Sequence, residues 1–181
     1  MTKHKPLLLG LHALGRHPGE QLVRHLEVAA PPDLNVGMIG VPEGSPVVMD
    51  LTCQSAGDGI LVEGTAAVGL IGQCARCLAD FEREQVFDLQ ELYFYPGRGP
   101  APDELDELDD DVYFVEDESV DLDPLLREAI VLNLPFSPLC RVDCAGLCPV
   151  CGADLNEQPG HVHEAPVDAR WAGLSGLSTA G

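Results

Sequence analysis

The chain has 181 residues and a formal net charge of −20, with 30 acidic and only 10 basic side chains, and 45% of its residues are hydrophobic. That length allows one domain, or one domain with a small appendage, and the charge argues against a grip on RNA or DNA that rests on phosphate contacts alone. The acidity fits a basic protein partner or simply a well-solvated surface, and no apolar stretch approaches the roughly 20 residues of a membrane span.

Nineteen glycines and 15 prolines beside 5% aromatics favour strands and turns over a helical bundle. At the N-terminus Lys3 and Lys5 precede Leu7–Leu9, but Gly10 and His12 interrupt the run and no small-residue cleavage site follows. A signal peptide is therefore not expected, the cytoplasm is the expected compartment, and paired cysteines there favour metal over disulfide.

Residues 1–45 are hard to read. Leu22, Val23, Leu26 and Val28 suit either a short helix or a strand, ended by Pro31-Pro32. From Pro46 the pattern is β: Val47, Val48, Met49 and Leu51 lead into Cys53, and Ala56-Gly57-Asp58-Gly59 is a hairpin turn signal. The run Ile60–Ile71 is apolar on both parities, which predicts a central strand covered on much of both faces. Cys74-Ala-Arg-Cys77 sits at a reversal, and Leu78–Phe94 alternates as a third strand. Residues 97–119 read as an acidic mobile loop, because 103–123 carries 12 acidic residues and no basic one. Within it Val112–Val115 is an apolar island suited to a sheet edge. Asp123-Pro124 predicts a helix start with Asp as the cap, and Leu125, Leu126, Ala129, Ile130 and Leu132 form its core-facing stripe. Pro135 and Pro138 end it just before Cys140.

The predicted organisation is a β-rich core over 1–96, the acidic loop over 97–119, a helix with a Cys/His segment over 120–171, and a tail over 172–181. The fold class is α+β, an antiparallel β meander with a C-terminal helix and a cysteine-rich zinc-knuckle segment.

Six of the seven cysteines fall in close pairs: Cys74 and Cys77, Cys140 and Cys144, Cys148 and Cys151, with His161 and His163 as a fourth pair. Eight soft or borderline ligands suffice for two tetrahedral zinc sites. In Cys148-Pro-Val-Cys151-Gly152 the glycine lets backbone amides close on the first sulfur, as in a zinc knuckle. Two pairings satisfy the count. One joins Cys74 and Cys77 with Cys140 and Cys144, and Cys148 and Cys151 with His161 and His163. The other is a single local site of Cys140, Cys144, Cys148 and Cys151 that leaves Cys74 and Cys77 free or redox-active. A site with four protein ligands has no open position for substrate, so the zinc, one or two ions, is expected to be structural. Strand-like flanks disfavour a redox Cys-x-x-Cys, which wants a helix N-terminus. Cys53 reads as a buried apolar residue, and His4, His12, His17 and His25 as surface residues. No phosphate loop, nucleophile elbow or paired-carboxylate pattern is present, and no catalytic site is expected.

Cys74-Ala-Arg-Cys77-Leu78, the acidic stretch, Asp121-Leu122-Asp123, Leu134-Pro135 and Cys140-x3-Cys144-Ala-Gly-Leu-Cys148-Pro-Val-Cys151-Gly152 together resemble the YceD-like family of large ribosomal RNA subunit accumulation proteins. Ala153–Asn156 and Val167–Trp171 are similar too, so the resemblance spans roughly residues 5–174. It implies a non-enzymatic factor in large-subunit biogenesis. The implied partners are a large-subunit precursor, a basic ribosomal protein or ribosomal RNA. By position, Cys74 and Cys77 match the family's first Cys-x-x-Cys, and Cys140, Cys144, Cys148 and Cys151 match the C-terminal cluster of its cysteine-rich branch. His161 and His163 stand where that branch carries Cys-x-Cys. The acidic loop 103–123 is the expected contact for a basic ribosomal protein. The rival functions are an RNA-binding zinc module presenting Arg76, Arg141 and Arg170, and a redox sensor at Cys74 and Cys77.

Overall fold

A computed structural model describes residues 7–15, 17–100, 112–163 and 170. Its elements in chain order are β1 (Leu8–Gly10), β2 (Gln21–Ala29), β3 (Asn35–Val36), β4 (Ile39–Gly40), β5 (Pro46–Ser55), β6 (Gly59–Gln73), β7 (Asp80–Phe94), β8 (Tyr113–Phe114), β9 (Ser119–Asp121) and helix α1 (Asp123–Val131). The described residues are thus mostly antiparallel β-sheet with one helix.

The sheet is built around β6. Its first half pairs with β5, from Ser55↔Ile60 to Val47↔Val68, across the turn at Ala56–Gly59. There Gly57 takes a φ of 77°, which a side chain would resist, and Ala56 N–H donates to the Gly59 carbonyl at 2.9 Å. All fifteen residues of β6 pair with β7, from Gly59↔Phe94 to Gln73↔Asp80. Where β5 runs out, β4 takes the vacated edge through Ile39↔Gly72 and Gly40↔Ile71. β2 lies outside β5 in register from Gln21↔Gln54 to Ala29↔Pro46. The segment that suited either helix or strand is therefore a strand, and its burial alternates with a period of two. β8 adds to β7 in parallel, while β1 and β9 form a separate antiparallel pair.

One face of this sheet holds the core. Val47, Met49, Leu51 and Cys53 of β5 are buried with Ile60, Val62, Ala66, Val68 and Leu70 of β6, and with Phe87, Leu89 and Tyr93 of β7. Leu9, Val120, Leu122, Leu125, Leu126 and Ile130 belong to the same cluster, so the β1–β9 ribbon and α1 cover that face. The opposite face is open, which corrects the expectation of a strand covered on both sides: Ile71 is 49% exposed, Val86 57% and Val23 71%. The apolar residues on the second parity of β6 pack against nothing comparable, and periodicity alone cannot report that.

The helix start also differs from expectation. Asp123 lies inside the helix, 2% exposed, and its carboxylate faces Arg127 Nη2 at 3.4 Å. The carboxylate that serves the helix start is Asp121, whose Oδ1 accepts from the backbone N–H of Asp123 at 3.1 Å and of Leu7 at 2.8 Å. Pro124 still falls in the first turn, where its missing N–H costs nothing. Leu132 does not join the apolar stripe, because the helix has already ended and the side chain is 80% exposed. Residues 101–111, most of the acidic run, lie outside the described residues. Tyr113–Phe114 docks as a strand, as the apolar island suggested, and Glu116 and Ser119 close a tight turn into β9.

Candidate metal centres

The turn between β6 and β7 is held by its own backbone: Cys74 N–H donates to the Ala79 carbonyl at 2.9 Å and Leu78 N–H to the Cys74 carbonyl at 3.0 Å. Leu78 takes a φ of 62°, which turns the chain back sharply. Cys74 and Cys77 therefore project from one end of the sheet. The chain leaving α1 passes this end and is tied to it. Ala75 N–H donates to the Pro138 carbonyl at 2.7 Å, Arg76 Nη1 to the Cys144 carbonyl at 2.9 Å, and Leu147 N–H to the Arg76 carbonyl at 3.2 Å. Gly146, at a φ of 78°, lies so close that a Cβ there would sit 3.1 Å from the Arg76 oxygen.

These ties bring together Cys74, Cys77, Cys140 and Cys144, whose sulfurs all lie within 4.8 Å of one another. The Cys74–Cys144 and Cys77–Cys140 Sγ separations are both 3.7 Å. A tetrahedral ion with metal–sulfur distances of about 2.3 Å separates its sulfurs by about 3.8 Å, so the group fits a four-coordinate metal. No disulfide joins these sulfurs, whose bond would need about 2.05 Å.

A second group forms locally. Gly152 N–H donates to the Cys148 carbonyl and Cys148 N–H to the Ala153 carbonyl, both at 2.8 Å, closing the Cys148–Gly152 turn at Gly152's φ of 75°. His161 and His163 fold back onto it. Cys151 Sγ lies 3.2 Å from the Nε2 of each histidine, and the two Nε2 atoms are 2.9 Å apart. With Cys148 the four ligand atoms again lie within 4.8 Å. Lone pairs converging this closely need a proton or a cation between them, and Cys2His2 is a donor set suited to zinc.

Asn156 joins the two groups, a role that sequence reasoning did not assign. Its Oδ1 accepts from Ala145 N–H at 2.8 Å and from Arg141 Nη2 at 2.7 Å, and its Nδ2 lies 3.6 Å from Cys144 Sγ. The only sequence signal was its place in Ala153–Asn156.

The electrostatics of the four-cysteine group explain why it calls for a dication. Burial works against a charge on Cys74, but the backbone N–H groups of Cys77, Cys140 and Arg76 outweigh it and bring the thiol down to about 6. At Cys77 the Ala79 amide favours the thiolate, yet burial and the Cys74 and Cys144 thiols leave its pKa raised. Burial and then the surrounding sulfurs push Cys140 up to about 12. One thiolate thus forms readily while Cys77 and Cys140 are held back from ionising, and a bound cation would reverse that for both. In the second group the Cys151 and Val150 amides lower the pKa of Cys148.

The local set of Cys140, Cys144, Cys148 and Cys151 does not assemble. Its members divide between the two groups. Cys53 is fully buried in the sheet core, apart from both. His25 faces Asp50 at 2.7 Å and His12 faces Glu118 at 2.8 Å on exposed surface, and His17 is exposed. His4 lies outside the described residues. No helix among the described residues is long and apolar enough to cross a membrane.

Among the described residues, an antiparallel sheet with a single helix and two four-ligand Cys/His groups able to hold metal is the class of protein that fold and site define. More particularly, the chain belongs to the family described as large ribosomal RNA subunit accumulation protein YceD, which it matches over residues 62–178. All eight Cys and His residues of the two groups fall inside that match. The chain is similar to an uncharacterized protein of Mycobacterium tuberculosis, Rv2926c, with 41% identity over 169 residues, covering 93% of this chain and 80% of that one. An uncharacterized protein of Mycobacterium leprae, ML1660, is 31% identical over 172 residues, covering 95% and 77%. YlbN of Bacillus subtilis, also uncharacterized, is 30% identical over 105 residues, covering 58% of each chain. No solved structure matches the chain.

Proposed function

We propose that this protein is a non-enzymatic, cytoplasmic factor in biogenesis of the large ribosomal subunit, organised by two structural zinc ions and acting on a basic ribosomal protein or the precursor's ribosomal RNA. The observation that carries the reading is the four-cysteine group. It stitches the β6–β7 turn to the segment beyond α1, with 3.7 Å sulfur separations suited to zinc, inside the stretch that matches the family. Cys74, Cys77, Cys140 and Cys144 would hold one ion, and Cys148, Cys151, His161 and His163 the other. Bound there, zinc supplies cross-linking and no open coordination position, so it stabilises a surface and performs no reaction.

Among partners, the basic protein is favoured over RNA. Arg76 and Arg141, which an RNA module would present, are already engaged, Arg76 with the Cys144 carbonyl at 2.9 Å and Arg141 with Asn156 at 2.7 Å and Asp143 at 3.4 Å. The redox reading is weaker still, since Cys74 and Cys77 each lie against a sulfur from the other segment.

The test is sedimentation of native extract through a sucrose gradient, with and without a zinc chelator. Co-migration with large-subunit precursors, released by chelation, is the expected outcome. Protein that stays at the top of the gradient in both conditions would refute stable attachment to the particle.

A further inference from the structure

At the end of the sheet beside the four-cysteine group, the β3–β4 hairpin walls a groove of about 830 Å³. Its floor is apolar and open: Met38 is 38% exposed and Ile71 49%, and Ile71 shares its face of the sheet with Asp80 and Glu82 through the Ile71↔Glu82 and Gln73↔Asp80 pairs. Glu43, Asp80 and Glu82 stand among its lining residues, and among the described residues no Lys, Arg or His lines the groove. None of these three carboxylates is in an ion pair among the described residues.

We propose that this groove docks an extended cationic segment of a partner protein. An aliphatic or aromatic side chain of that segment rests on Met38 and Ile71, and flanking Lys or Arg residues reach Glu43, Asp80 and Glu82. An apolar floor alone accepts any hydrophobic segment; the carboxylate rim, in which Asp80 accepts, among the described residues, only from Gln73 Nε2 at 3.4 Å, selects the cationic ones and repels phosphate, which turns nucleic acid away. The groove is coupled to the metal centre. Gln73 N–H, one residue before Cys74, donates to the Met38 carbonyl at 2.9 Å, so the anchored turn fixes the hairpin that forms the wall. The proposal deepens the assembly reading by giving its basic protein partner a seat, and rests on that reading for the partner's origin but not for the chemistry of the groove.

The experiment measures fluorescence anisotropy of a labelled peptide alternating lysine and leucine against the zinc-loaded full chain at low salt. The triple variant Glu43→Gln, Asp80→Asn, Glu82→Gln should bind about tenfold more weakly, three exposed ion pairs at the usual strength. A control removing as many charges at the β8–β9 turn (Glu116→Gln, Asp117→Asn, Glu118→Gln) should lose less than about twofold. Ile71→Ser should also weaken the peptide while zinc content and circular dichroism stay as in wild type. Equal losses in groove and control variants would mean general attraction to an acidic surface and overturn the proposal. So would a labelled single-stranded RNA that binds the wild-type protein directly and loses that binding in Ile71→Ser, which would assign the groove to nucleic acid. Sedimentation of the same groove variant reads the assembly role separately: wild-type protein absent from large-subunit precursors would sink that role and leave the peptide result standing.

Discussion

Ligand removal, one site at a time, tests the pairing of the eight Cys and His residues. Cys74→Ser takes one sulfur from a group that includes the wholly buried Cys74 and Cys144 and spans the sheet and the segment beyond α1. Cys148→Ser takes one from a group confined to residues 148–163. With zinc at a thousandfold over its dissociation constant, a site bound only in the folded state contributes about 4 kcal/mol to stability. For a chain of this size each kcal/mol moves Tm by about 2–4 °C, so Cys74→Ser should lower Tm by roughly 8–16 °C. Cys148→Ser should move it less than half as far, because its group opens locally without loosening the sheet. Zinc measured by atomic emission should fall from about two per chain to about one in either single variant and to none in the double variant. The assay pairs that measurement with thermal unfolding followed by circular dichroism. If Cys74→Ser kept all its zinc, and Cys148→Ser lost as much as the double variant, the local four-cysteine arrangement would be correct and the separation into two groups wrong.

Gly146→Ala should cost about 1–2 kcal/mol and weaken zinc retention at the four-cysteine group, since a φ of 78° and an Arg76 oxygen 3.1 Å from the new Cβ both oppose it; chelator competition reads the retention. Ile130→Ala, at a fully buried position, should destabilise by about 2–5 kcal/mol, whereas Leu132→Ala, 80% exposed, should stay within about 0.5 kcal/mol in urea titrations. Burial, and then the charges of Glu91 and Asp121, raise the Tyr93 pKa above the ordinary tyrosine value of 10.0, and its hydroxyl donates to the Asp121 carbonyl at 2.9 Å. A phenol whose pKa is raised by folding contributes stability that is whole below pH 10 and lost as pH rises above it. Absorbance at 295 nm should therefore show one tyrosinate forming only with unfolding, and Tyr93→Phe should remove that step.

What the sequence made legible was local. The Ala56–Gly59 turn fixed β5 and β6 in register because a two-strand unit with an obvious hinge carries its own pairing. The Cys pairs stood out for the same reason, each pair being close in sequence. Partners far along the chain were not legible. β1 pairs with β9 through Leu9↔Val120, and neither three-residue strand has enough pattern to announce itself. β2 was ambiguous because Arg24, His25 and Glu27 break its apolar rhythm, and only the register with β5 decides for a strand. The two groupings of the cysteines could not be told apart by counting, since both use plausible spacings; the Ala75–Pro138 and Arg76–Cys144 bonds bring Cys140 and Cys144 to the β6–β7 turn. The groove was invisible altogether, since it depends on β4 taking over the edge that β5 leaves.

The four-cysteine group also imposes a schedule on synthesis. Its contacts join residues 63 and 70 positions apart, Cys77 with Cys140 and Cys74 with Cys144. At about 5–20 residues per second, the first two thiols wait roughly 3–14 s for the second pair to be translated. Throughout that interval the nascent β6–β7 hairpin presents a bare dithiol to any oxidant or stray metal it meets. The Cys148–His163 group faces no comparable delay, because its last ligand is translated only fifteen positions after its first. A newly made molecule is therefore vulnerable at its hairpin first, and a cell short of zinc would accumulate copies whose sheet has formed but whose far end was never fastened.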